Sequence, residues 1–150
     1  MAWAGSGQFL LTIRDQWDPS ALAIDLTAAT IRMAIFDDSV TPNFDTNTAY
    51  AVAPWNAGEA AAGGGYTTGG LAITSKTYTV ITAGLLAFDG DSFIGDITTG
   101  TFDARGLLIY CDSCAGNNAL AAIDLGGTYN VVSSTFDVDW DPLGIYGFQN

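Results

Sequence analysis

Short runs of alternating apolar and polar residues, each ended by turn-forming residues, are the main pattern of this chain. Residues 135–140 have the sequence TFDVDW, which places Phe136, Val138 and Trp140 on one face of a strand and the polar side chains on the other. Residues 30–36 alternate in the same way. This pattern predicts an all-β fold, an antiparallel β-sandwich or partly open barrel with about 8–10 short strands and at most one short helix.

One run differs because it is apolar without alternation. Residues 105–111 (RGLLIYC) predict a strand in the middle of a sheet, where both faces are buried. Residues 120–125 are its expected hairpin partner across the loop at 112–119. The other predicted strands are residues 77–82 and 85–88, which form a second hairpin, together with residues 129–132 and 145–148.

Three segments do not fit this pattern as clearly. Residues 8–17 place apolar side chains at strand spacing and also at helix spacing, and we favour a strand because Thr and Ile are present. Residues 56–63 (NAGEAAAG) predict one helical turn with Asn56 as its N-cap. Residues 41–70 otherwise predict a long loop, and long loops often carry a binding surface.

Length and charge limit the classes of protein that are compatible with this chain. The 150 residues suit one domain, 1–150, with residues 1–20 as a candidate N-terminal arm. A net charge of -12 predicts no nucleic-acid partner and no membrane partner, because both surfaces are anionic. Only 13% of residues are charged and 49% are hydrophobic, which favours apolar contact between subunits, as in a homo-oligomer or a larger assembly. Residues 1–7 lack the pattern of a secretory signal, so we expect synthesis in a cytoplasm.

The inventory of reactive side chains predicts that the protein is not an enzyme and has no cofactor. The chain contains no histidine, which excludes the Ser-His-Asp and Cys-His arrangements and most zinc sites. A hydrolase that uses a pair of aspartates stays open as an alternative, although the scattered Asp residues favour turns and solvated strand faces.

Two motifs resemble metal or redox sites only in part. Cys111 and Cys114 could be a redox pair or half of a zinc site, but a zinc site needs about four ligands. We therefore favour two thiols at a hairpin end that can close a small disulfide loop. Residues 88–96 have the composition of a calcium loop, yet a phenylalanine occupies the third ligand position and no Glu closes the loop. An acidic turn is the favoured interpretation; the candidate metal ligands are Asp89, Asp91 and Asp96.

Several aromatic residues lie outside the predicted strands and have two interpretations. They either cover the ends of the sandwich or anchor a protein interface, where Trp and Tyr are enriched. As interface contacts we predict Trp3 and Phe9 of the N-terminal arm, and Trp55 and Tyr66 of the long loop.

Four ordered segments resemble segments of small virion proteins of tailed phages. They are residues 65–73 (GYTTGGLAI), 101–105 continuing into 108–110, 122–126 (AIDLG) and 136–145 (FDVDWDPLGI). The resemblance implies a capsid decoration (cement) protein that binds the major capsid protein on the exterior of the virion head. It also implies a homo-oligomer, with a trimer favoured, and no catalytic residues. The alternative is a tail or fibre module that recognises a receptor or glycan on the host surface.

Overall fold

The predicted all-β fold is confirmed by the computed structural model, which describes residues 3–18, 22–46 and 49–149. These residues form eight strands and one helix. Their bounds are β1 Gly7–Gln8, α1 Leu10–Trp17, β2 Ile31–Phe36, β3 Leu71–Ala72, β4 Thr77–Thr82, β5 Leu85–Asp89, β6 Gly100–Cys111, β7 Ala119–Ser134 and β8 Tyr146–Gln149.

The strands form two antiparallel sheets that give a sandwich-like architecture. The larger sheet has the order β1-β7-β6-β2-β3 and the smaller one the order β4-β5-β8. Both predicted hairpins are present, β4 with β5 and β6 with β7. The central position predicted for residues 105–111 is confirmed, since β6 lies between β7 and β2.

Both faces of β6 are buried over residues 104–111, which explains the apolar run at 106–111. Leu107 and Ile109 belong to the main core, which also includes Phe88 of the smaller sheet. Leu108 and Tyr110 alternate with them and belong to a second core on the opposite face of the larger sheet. Each fully buried aliphatic side chain of this size contributes roughly 1.5–3 kcal/mol of transfer free energy, so the hairpin β6–β7 carries much of the stability.

The predicted strands at 120–125 and 129–132 are parts of one strand, β7. Gly106 pairs with Asp124 while Ala104 pairs with Tyr129, so residues 125–128 bulge out of the ladder. Gly126 has a φ of 78°, a conformation that costs glycine little. Gly126 and Gly127 therefore lie in a bulge within β7 and do not separate two strands.

The strand predicted at residues 8–17 is wrong, because a helix occupies most of this segment. Only the short β1 pairs with β7, and α1 follows directly. The hydroxyl of Thr12 is buried and donates a hydrogen bond of 2.6 Å to the carbonyl oxygen of Ala119, which fixes the helix against β7. The described part of the predicted N-terminal arm, residues 3–18, is thus packed onto the domain.

Two other local predictions need correction. Residues 56–63 form turns and bridges and not a helical turn, since Glu59 pairs with Phe36 at the edge of β2. Residues 135–140 alternate in burial as predicted, with Val138 buried, but they form a single bridge, to Phe93. The N–H of Phe136 also donates to the carbonyl oxygen of Ile97, so the segment is extended and fastened at two points without being a full strand.

Candidate docking surface

The four aromatic residues predicted as interface contacts are all buried inside the chain. Trp3, Phe9 and Trp55 pack on the outer face of the larger sheet, where Trp55 meets Phe36 at 5.0 Å between ring centroids. Tyr66 lies in the main core. This burial corrects their expected role as exposed contacts: Trp3, Phe9 and Trp55 cover an apolar sheet face, and not the ends of the sandwich as the other interpretation had it.

Tyr66 also belongs to a polar network that the sequence did not predict. Its hydroxyl donates to Oε1 of Glu59 at 2.9 Å and accepts the backbone N–H of Ile35 at 3.0 Å. Tyr50 donates to Oε2 of Glu59 at 2.7 Å, and the N–H of Gly69 donates to Oε1 at 2.6 Å. The one Glu of the chain therefore fastens the long loop to β2. Glu59 is the only Glu in a chain with fifteen Asp residues, and this was the one sequence feature that could have drawn attention to it.

The phenols of this region are expected to make stability depend on pH in the alkaline range. The pKa of Tyr110 is raised to about 12, mainly by burial and next by the charge of Asp112. The pKa of Tyr50 is also raised, by burial and by the carboxylate of Glu59. An unfolded tyrosine ionises near about pH 10. Above that pH the unfolded chain has lost protons that the folded chain keeps, so the free energy of unfolding falls as pH rises from about 10 to 12 and does not depend on these groups below about 9.

Urea unfolding at several pH values tests this expectation, with absorbance at 295 nm reporting phenolate formation. The urea midpoint should fall above pH 10, and Tyr110→Phe should reduce that fall because one raised phenol is removed. A midpoint that stays constant up to about pH 11.5 would contradict the assignment.

The candidate metal ligands are not brought into one site. Within residues 3–18, 22–46 and 49–149, no group of three or more His, Cys, Asp or Glu side chains is placed to hold a metal ion. Asp91 instead accepts hydrogen bonds from Ser75 at 2.6 Å and Thr74 at 2.8 Å. The hydrogen bond from Ser75 makes the largest contribution, and the one from Thr74 the next, to a lowered pKa of the Asp91 carboxyl group. Asp91 therefore orders the loop before β4.

Cys111 and Cys114 form a disulfide at the end of β6.

An exposed apolar surface lies on the smaller sheet and next to the C-terminal end of α1. Trp17 is 81% exposed and lines a groove of about 560 Å³ together with Ile24, Tyr78 and Phe148. A neighbouring hollow of about 330 Å³ shares Phe148. Residues Trp17, Tyr78, Val80, Leu86 and Phe148 are called the β4 patch below.

The strand register explains why this surface is exposed. Phe88 is opposite Tyr78 and Tyr146, and Leu86 is opposite Val80 and Phe148. Directly opposed residues share a face of the sheet, so both rows face the same way. The row of Tyr78, Phe88 and Tyr146 packs on the core at Phe88, whereas the row of Val80, Leu86 and Phe148 lies beyond the edge of the core. All six residues of β4 are exposed.

The β4 patch differs from the rest of the surface in both polarity and charge. Of the eleven large hydrophobic side chains exposed in the described chain, four belong to the patch (Trp17, Tyr78, Val80 and Phe148), and a fifth, Ile81, lies in the same strand. No Asp or Glu occurs from residue 60 to residue 88. Asp25 lines the groove beside Trp17 and Lys76 precedes β4. Clustered apolar exposure of this kind marks binding surfaces in soluble proteins.

Comparisons with protein-family models, curated protein sequences and solved structures found no match to this chain. Across the described residues, no helix has the length and apolar character needed to cross a membrane.

Proposed function

We propose that this protein is a structural subunit of a tailed-virus particle and not an enzyme. In this proposal it is a homo-oligomeric decoration protein that binds the major capsid protein on the exterior of the head. The β4 patch carries the proposal: it is an exposed, clustered apolar surface almost free of carboxylates, on a chain with a net charge of -12. Such a surface suits attachment to another protein.

The chemistry of the interior supports a structural role. Glu59 is occupied by three hydrogen-bond donors that hold the long loop. Arg105 is buried and contacts Asp124 and the backbone of Trp3. These contacts use both charged groups to hold parts of the fold together, and Glu59 also lines a hollow of about 190 Å³ with Asp37 and Asp103.

Two of the four segments that resemble phage virion proteins lie in the central strands of the larger sheet, and none of the four includes a residue of the β4 patch. Residues 101–105 and 108–110 lie in β6, and residues 122–126 lie in β7. The residues of the β4 patch all lie outside the resembling segments. The resemblance thus supports a shared sandwich, while the patch is where the attachment of this protein would be specified.

Attachment through the β4 patch predicts a large effect of one exposed tryptophan. Trp17→Ala should weaken binding to capsid shells that lack the protein by about 30-fold, since a central tryptophan anchor typically contributes about 2 kcal/mol or more. Co-sedimentation of purified protein with such shells measures the change. Tyr129→Ala is the matched control, because Tyr129 is also an exposed aromatic but lies outside the patch, and its binding should equal that of the wild type.

The same shells separate the proposal from its alternatives. Saturation at hundreds of copies per particle supports decoration of the head. A handful of copies in purified virions would instead indicate a tail or fibre module. Equal binding by Trp17→Ala and the wild type would contradict attachment through the patch.

A further inference from the structure

We propose that the free edge of β4 pairs with β4 of a second copy of this chain, around a two-fold axis at Thr79. This inference goes beyond the proposed function, because it concerns the isolated protein and holds or fails whatever the protein attaches to. It also makes a two-fold pair, and not a trimer, the basic contact between subunits.

The edges of the two sheets are protected with one exception. β1 and β3, at the edges of the larger sheet, have two residues each. At the β8 edge, the side chain of Gln8 donates a hydrogen bond of 2.7 Å to the carbonyl oxygen of Gly147. β4 is a six-residue edge strand, and the described residues place no strand on its outer side.

The sequence of β4 lacks the features that normally prevent edge pairing. Soluble proteins protect long edges with charged side chains, proline or bulges that turn the edge away. The sequence TYTVIT contains no charge, no proline and no glycine, and the one irregularity, between Val80 and Thr82, lies at its end. Unpaired backbone groups and β-branched side chains therefore face solvent along most of the strand, which is suited to pairing with another strand.

The distribution of charge selects a second copy as the occupant. Two copies with a net charge of -12 each repel one another over most of their surfaces. The strand β4 and the first four residues of β5 carry no charge at all, and Lys76 is the nearest charged residue before them. Two copies that meet along β4 thus bring no opposed carboxylates together, which is the least costly electrostatic approach for this chain.

The side chains of β4 are also complementary to themselves. In an antiparallel pair centred on Thr79, Tyr78 lies opposite Val80 of the second copy, and Val80 lies opposite Tyr78 of the second copy. Aromatic and β-branched residues in such positions stabilise a strand pair by roughly 0.2–1 kcal/mol each. This register keeps the exposed apolar rows of both copies on the same face, because a two-fold axis normal to the sheet preserves the face.

The resulting dimer has one continuous six-stranded sheet with the order β8-β5-β4-β4-β5-β8. The rows formed by Val80, Leu86 and Phe148 of the two copies then join across the axis. The β4 patches become one apolar surface that is twice as wide, and this surface remains open to a further partner. Pairing of β4 therefore satisfies its unpaired backbone groups through a strand contact to which Trp17, at the end of α1, does not belong.

Two matched valines provide the first test. Val80 is 64% exposed and Val132, in the larger sheet, is 62% exposed; each lies in a strand, and each substitution by Asp adds one charge. Sedimentation velocity over a concentration series should show a dimer for the wild type and for Val132→Asp. For Val80→Asp the dimer dissociation constant should rise by at least about tenfold, because like charges then lie next to the axis. A monomeric wild type, a trimer, or an unchanged Val80→Asp dimer would overturn the inference.

A cysteine at the axis tests the register directly and does not depend on a destabilising change. Thr79→Cys places two thiols opposite one another at a separation that suits a disulfide, so mild oxidation should give a covalent dimer. Thr101→Cys, an exposed strand threonine of the larger sheet, should remain uncrosslinked. Absence of the Thr79→Cys crosslink would exclude this register. If the protein binds particles as a monomer, the inference of a β4 dimer is wrong and the proposed function stands. If the protein is a dimer that does not bind particles, the proposed function is wrong and the inference stands.

Discussion

Replacing Trp55 by alanine is expected to lower the free energy of unfolding by about 3–5 kcal/mol. Trp55 is 2% exposed and its ring packs edge-on against those of Trp3, Phe9 and Phe36 at 5.7, 6.0 and 5.0 Å between centroids. Truncation removes the transfer free energy of the indole and leaves a cavity that three large rings cannot fill without moving. Urea unfolding followed by far-ultraviolet circular dichroism measures the loss.

Trp17→Ala is the control for Trp55→Ala, since the two substitutions delete the same side chain in opposite environments. Trp17 lies on the surface of α1, so its removal should change the free energy of unfolding by less than about 0.5 kcal/mol. Its effect should instead appear in attachment to shells. Similar stability losses for the two variants would contradict the assignment of Trp55 to the core and Trp17 to the surface.

The strands of the larger sheet could be predicted because their side-chain pattern follows from burial. Residues 105–111 are apolar at every position after the arginine apart from one glycine, and only a strand covered on both faces requires that. The strand at 30–36 was predicted from alternation, and its register with β6 places Met33 opposite Ile109 within one core. Local pattern and tertiary burial agree in this part of the chain.

The residues that cover the outer face of the larger sheet could have been predicted by the same reasoning, but they were not. A β6 strand buried on both faces demands apolar groups on the side away from the smaller sheet. Nothing among the predicted strands supplies them, so aromatic residues from outside the strands must do so. Trp3, Phe9 and Trp55 are those residues; their assignment to the N-terminal arm and the long loop favoured an exposed role, which this requirement argues against.

The β4 patch could not be predicted as a site, although its strand could. Residues 77–82 predict a strand by composition, but their exposure on both faces depends on how far the smaller sheet extends past the core. That overhang is set by packing at Phe88 and Tyr146 and is not a local property. The sequence did contain one signal, the absence of carboxylates from residue 60 to residue 88 in an acidic chain.

Arg105→Met is expected to lower the free energy of unfolding by about 3–5 kcal/mol, because it leaves a partly buried carboxylate without its cation. The guanidinium of Arg105 is almost fully buried and contacts both carboxylate oxygens of Asp124. It also lies 3.6 Å from Asp38 and 3.4 Å from the carbonyl oxygen of Trp3. Thermal and urea unfolding measure the loss, to which the missing tie to the N-terminal segment also contributes.

Two companion variants separate the charge effect of Arg105→Met from simple loss of contacts. Arg32→Met breaks the ion pair with Asp112, whose side chains are 31% and 39% exposed, and should cost about 1 kcal/mol or less because solvent screens that pair. Adding Asp124→Asn to Arg105→Met removes the stranded charge, so stability should partly recover and the two substitutions should be strongly non-additive. If instead the losses simply add, the buried pair contributes through packing alone, and the electrostatic account of how β6 holds the N-terminal segment is wrong.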